Sequence, residues 1–88
     1  MNISDITQRT RSILDEVGSL GVSIESLADD DDLYDAGLMS RASVQVMLAL
    51  EDEFDIEFPD NMLNRHTFQS IASIRDGISS IIDSEVIG

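Results

Sequence analysis

The chain has 88 residues, enough for one domain, and a hydrophobic fraction of 42% that suffices for a single small core. It contains no cysteine, which excludes disulfides and thiolate metal sites. Eighteen Asp and Glu against five Lys and Arg leave a formal net charge of -13, a surface that repels phosphate backbones and anionic lipid and attracts basic proteins.

Ile3, Ile6, Ile13, Leu14 and Val17, with Thr10 filling the gap in their stripe, predict an amphipathic helix over 4–17. Asn2 or Ser4 can cap it, Asp5 puts negative charge in its first turn, and Gly18 and Gly21 are expected to stop it. The connection that follows, GSLGVSIESLADDDDLYDAGLM, is too long for an inert loop. Val22, Ile24, Leu27, Leu33, Tyr34 and Leu38 are expected to tuck onto the core and order it. The four acids Asp29 to Asp32 read as a solvated turn in preference to a cation site.

The strongest helical pattern spans 40–54. Val44, Met47 and Leu48 mark one ridge with Glu51, while Val46, Leu50 and Phe54 widen the apolar face, which predicts packing against both other long helices. Arg41, Gln45 and Asp52 keep to a narrow polar face. Pro59 disfavours helical geometry at Phe58, so the chain should leave this helix extended. Asp60 can cap a very short helix through Leu63. Thr67 resembles the N-cap of the last helix, in which Phe68, Ile71, Ile74, Ile78 and Ile81 recur every three or four residues. Gly77 inside that helix costs up to about 1 kcal/mol relative to alanine, a cost that close approach of a neighbour would justify. Residues 84–88 are expected to fray. The expected architecture is all-α, a single domain over 1–88 built as a small antiparallel bundle of three long helices and one short one.

Two exclusions bear on location. No apolar run approaches the roughly 18 residues of a membrane helix. The start, MNISDITQRT, lacks the basic region and apolar stretch of a signal peptide. A cytoplasmic location is therefore expected, with neither membrane nor nucleic acid as a partner.

Conventional catalytic equipment is sparse: one histidine, no cysteine and no lysine. A Ser40–His66 pair can be written down, but nothing in the sequence brings the two together or orients the imidazole. DDDDLYDAGLMS offers Asp31, Asp35 and Gly37 but lacks the closing glutamate of a calcium loop, and no zinc spacing is present. No catalytic residue, no resident metal and no enzymatic activity are expected. Ser40 stands at the junction between the long connection and the strongest helix, beside amides suited to phosphate. On its residues alone it reads first as an ordinary N-cap. Ser43, a turn further in, can simply bond back to the helix.

The stretch DLYDAGLMSRASVQVMLALEDEFDIEFPD, Asp32 to Asp60, resembles the centre of the acyl carrier protein family. The likeness takes in the acidic loop, the glycine three residues before Ser40, the apolar run Val44 to Leu50 and the ending Leu50 to Asp60. It continues into Phe68 and Ile71 at the start of the last helix, and with the first helix it covers nearly the whole chain. This resemblance implies that Ser40 receives 4'-phosphopantetheine from coenzyme A by the action of a separate phosphopantetheinyl transferase. The arm's thiol would hold an acyl or aminoacyl group as a thioester. The protein would then move that cargo from an activating ligase to a downstream acceptor enzyme, and a monomer is expected.

The resemblance also assigns partner recognition to the Ser40 end of the second helix. The expected docking face comprises Leu38, Met39, Arg41, Gln45, Asp52 and Glu53, its acids steering a basic partner and Leu38 and Met39 adding apolar contact. Common fatty-acid carriers have an acid immediately before the serine and an apolar residue after it. Here those positions are Met39 and Arg41. Gly37-Leu38-Met39-Ser40 is closer to carriers of amino acids, which places aminoacyl cargo ahead of a fatty or polyketide chain. An interaction protein that keeps the bundle without using the arm is the alternative of a different kind.

Overall fold

The computed structural model describes residues 2–87, with side chains described through residue 84. The tail expected to fray, 84–88, lies mostly outside the residues whose side chains are described. Three helices carry the fold: α1 (Ile3–Val17), α2 (Ser40–Phe54) and α3 (Ile71–Ile87). Single 3₁₀ turns at Ile24–Ser26 and Asp60–Met62 interrupt the two connections, and the described residues form no strand.

Asn2 caps α1, its Oδ1 accepting the Asp5 N–H at 2.8 Å, and Ile6, Thr10, Ile13 and Leu14 form the buried stripe. Gly18 closes the helix through its N–H to Leu14 O (2.9 Å), yet it keeps right-handed geometry. The left-handed step expected of a glycine falls one residue later, on Ser19 at φ 51°.

α1 approaches both other helices closely, and α2 contributes Val46, Leu50 and Phe54 to the same core cluster as Ile71, Ile74 and Ile78 of α3. In α2 the buried set is Ala42, Val46, Leu50 and Phe54, a single ridge of four-residue steps. Val44 and Leu48, expected inside, are 52% and 54% exposed. After Phe54, Asp55 takes the left-handed conformation (φ 53°) and the Ile56 N–H returns to Glu51 O at 3.1 Å. The Glu51 carboxylate then accepts the Phe58 N–H (2.9 Å), which seats Phe58 edge-on against Phe68 with ring centroids 5.5 Å apart.

The last helix starts at Ile71, three residues later than an N-cap at Thr67 predicts. Thr67 is buried and committed to a turn with Asn64, whose Oδ1 accepts both its N–H (3.0 Å) and its hydroxyl (3.3 Å). Ser70 caps α3 instead, accepting the Ser73 N–H at 3.0 Å, while the Ser73 hydroxyl accepts the Ser70 N–H at 3.0 Å. Phe68 therefore belongs to the turn before the helix and still reaches the core. Ile71, Ile74 and Ile78 are fully buried.

The long connection is ordered, as expected, with Ile24, Leu33 and Leu38 buried, though Val22 is 46% exposed. Its acidic run is more than a solvated turn. Asp29 accepts a 2.7 Å bond from Arg11 and lies 3.6 Å from the Arg75 guanidinium, joining α1, the connection and α3. Arg11 also donates to Ile24 O and Leu27 O, while Asp29 O accepts the Ala72 N–H and Gln69 O the Leu33 N–H. Asp31 and Asp32 are spent on local amides, those of Ala28 and of Tyr34 and Asp35.

Candidate functional site

The end of the connection is what presents Ser40. Gly37 sits at φ +113°, and a Cβ there would fall 2.9 Å from Gly21 N, so only glycine fits where the chain doubles back. Leu38 then anchors itself in the core and donates its N–H to Leu33 O (2.9 Å). Met39 is extended (φ -103°, ψ 161°), occupies the N-cap position and contributes no side-chain cap. Ser40 is thus the first residue of α2, not its cap. Its side chain is exposed, and its hydroxyl makes no hydrogen bond among the described residues. Ser43, by contrast, donates its hydroxyl to Ser40 O at 2.8 Å. Of the two serines, only Ser40 keeps a hydroxyl free for chemistry.

Ser40 opens onto a surface groove of about 280 Å³. The groove is lined by Ser43, Val44 and Met47 of α2, by Leu63, Asn64, Arg65 and Phe68 from the turn before α3, and by Tyr34 of the connection. The Arg65 guanidinium lies 3.9 Å over the Tyr34 ring, and the Tyr34 hydroxyl donates to Arg65 O at 3.4 Å. Burial pushes the Tyr34 phenol above its ordinary value, against a smaller opposing pull from Arg65, so it stays protonated at neutral pH. His66 is exposed and its imidazole makes no hydrogen bond among the described residues. No group of three or more metal-ligating side chains occurs among the described residues.

The expected docking residues do not form one patch. Met39, Arg41 and Gln45 line a second depression of about 330 Å³ beside the start of α2, which Ser40 does not line. Asp52 and Glu53 lie at the far end of the helix, about 18 Å away along its axis, and Glu53 is paired with Arg9 at 3.2 Å. Leu38 is 4% exposed and unavailable to a partner. Sequence reasoning missed the exposed apolar residues Val44, Leu48 and Leu63 and the groove cation Arg65. The signal for the first two was present, because apolar residues cover more of α2 than one packed face can bury.

A family model described as the phosphopantetheine attachment site matches residues 11–76. An aminoacyl carrier protein of Agrobacterium fabrum is 52% identical over 75 residues, covering 85% of this chain and 90% of that one. A D-alanyl carrier protein of Lactobacillus acidophilus is 38% identical over 60 residues, 65% of this chain and 76% of the other. Among solved structures, a crystal structure of an engineered Bradyrhizobium japonicum glycine:[carrier protein] ligase complexed with carrier protein from Agrobacterium tumefaciens and ATP matches with a TM-score of 0.84. That match is at 50% identity and covers 86% of this chain and 99% of the other. No helix of the described residues is long and apolar enough to cross a membrane.

Proposed function

This chain belongs to the phosphopantetheine attachment-site family, and on that premise we propose that it is an aminoacyl carrier whose arm is joined to Ser40. It is a carrier and not an enzyme: it bears the arm and moves an acyl-type group between partners that do the chemistry. The observation that carries the assignment of Ser40 is its exposed hydroxyl, left without a partner at the first position of α2. An arm that starts with a phosphodiester and continues through amides and methylenes fits the adjoining groove, which has one cation and several apolar residues. The arm supplies a thiol, which this polypeptide lacks, to hold the cargo as a thioester.

A phosphopantetheinyl transferase would install the arm from coenzyme A. The Ser40 oxygen–phosphorus bond forms, the pyrophosphate bond breaks, adenosine 3',5'-bisphosphate leaves, and the transferase removes the serine proton. An amino-acid-activating ligase would load the thiol, and a downstream acceptor enzyme would unload it, all in the cytoplasm. Aminoacyl cargo is favoured by the 52% identity to an aminoacyl carrier and by the likeness to the ligase-bound carrier. The ligase would dock on the exposed side of α2 near Ser40, where Met39, Arg41 and Gln45 flank the apolar pair Val44 and Leu48. Asp52 and Glu53 would contribute only long-range steering.

Intact-protein mass analysis after incubation with coenzyme A and a broad-specificity transferase tests the attachment. The parent should gain one phosphopantetheinyl group and Ser40→Ala none. A mutant that still gains the group would refute Ser40, and no gain by either, beside an active control, would favour the interaction-only reading. Loading the modified protein with ligases for amino acids and for fatty acids then separates the two cargo classes.

A further inference from the structure

We infer that Arg65 anchors the phosphodiester of the attached arm, an assignment that rests on attachment at Ser40. The five arginines divide sharply by partner. Arg9 pairs with Asp5 (3.7 Å) and Glu53 (3.2 Å), Arg11 with Asp29 (2.7 Å), and Arg75 with Asp29 (3.6 Å) and Asp76 (3.2 Å). Arg41 and Arg65 have no acidic partner within 4.0 Å among the described residues, although the chain holds 18 acids. These two flank Ser40, but only Arg65 shares its groove. Arg41 lines the separate depression with Met39 and Gln45.

Arg65 is also held in a manner that leaves its charge usable. Its guanidinium stacks on the Tyr34 ring at 3.9 Å, an attachment through the face of the group. The N–H donors around its edge are not consumed by a carboxylate. A phosphodiester offers one negative charge and two non-bridging oxygens, the acceptor geometry that a guanidinium fork matches. The apolar side chains of Val44, Met47, Leu63 and Phe68 share the groove with Ser43 and Asn64 and would receive the methyl and methylene parts of the arm. The arm would then rest in the groove between encounters, with Arg65 as its positioning residue.

Phosphorus NMR on the phosphopantetheinylated protein tests this, with mass analysis first confirming equal loading of each variant. In the parent the phosphodiester should tumble with the protein. In Arg65→Gln its transverse relaxation should slow by about twofold as it gains independent motion on the ps–ns timescale. The amide shifts that loading induces at Leu63 and Phe68 should shrink with it. Arg41→Gln should leave both signals as in the parent, and Arg65→Lys should retain part of the ordering. Unchanged relaxation in a folded Arg65→Gln protein, or release of the arm by Arg41→Gln instead, would overturn the assignment. Should Ser40 not be modified at all, no phosphorus signal arises, and the attachment reading fails before this one.

Discussion

Thr10 is fully buried in α1, and its hydroxyl has no hydrogen-bond partner among the described residues. A buried hydroxyl left unsatisfied forfeits its hydration, so the near-isosteric Thr10→Val should raise stability by about 1 kcal/mol. Equilibrium denaturation should show a higher midpoint with an unchanged slope. Gly37 calls for the opposite expectation. Alanine there meets both an unfavourable φ of +113° and the Gly21 backbone nitrogen at 2.9 Å, and backbone cannot step aside. Gly37→Ala should therefore cost about 2 kcal/mol, read from the same denaturation curves. Gly77 lies at the mild end of this scale: its Cβ would crowd the flexible tip of Met62, at 2.8 Å, and meet Thr67 Cγ2 at an ordinary 3.7 Å.

The elements differ in how much of them the sequence disclosed. α1 was legible because cap, periodicity and breaker agree along it, and α2 through its apolar periodicity, although its cap position falls on Met39, which makes no side-chain cap. The start of α3 was not, because Thr67 and Phe68 are buried in a turn and burial imitates the helical stripe that follows. Val44 and Leu48 were misassigned for another reason: periodicity reports that a helix is apolar, not which part of a wide arc meets a neighbour. Ser40 was singled out as a candidate by the family resemblance, whereas Arg65 needed the three-dimensional path of the turn before α3 to reach the groove. The role of Asp29 was hidden because its partners lie 18 residues before it, at Arg11, and far along the chain at Arg75. Because Asp29 is 43% exposed, Asp29→Asn should cost only about 1 kcal/mol. Its effect should be local. Hydrogen exchange at the Leu33 and Ala72 amides, which bind the connection to the turn before α3 and to α3 itself, should accelerate while that at Gly18 stays as in the parent.

At the scale of the whole molecule, the charge of -13 acts on two quantities with opposite sign. Self-repulsion loosens the compact state, so added salt should raise the unfolding midpoint. Attraction to a basic partner speeds encounter, so the same salt should slow association with the activating ligase. Thermal unfolding and stopped-flow association measured over one salt series check both, and parallel trends would mean that charge is not setting the encounter rate.

The guanidinium in the groove has a further chemical consequence. An aminoacyl thioester is an acylating agent, and a tether keeps it near its own carrier at high effective concentration. A lysine beside Ser40 would present an amine able to deprotonate and take the cargo irreversibly as an amide, and a cysteine would take it by exchange. Arginine stays protonated at any physiological pH and does not compete for the acyl group. With Arg65 and Arg41 as the cations flanking Ser40, and no lysine or cysteine side chain anywhere in the sequence, charge is supplied at this site without aminolysis.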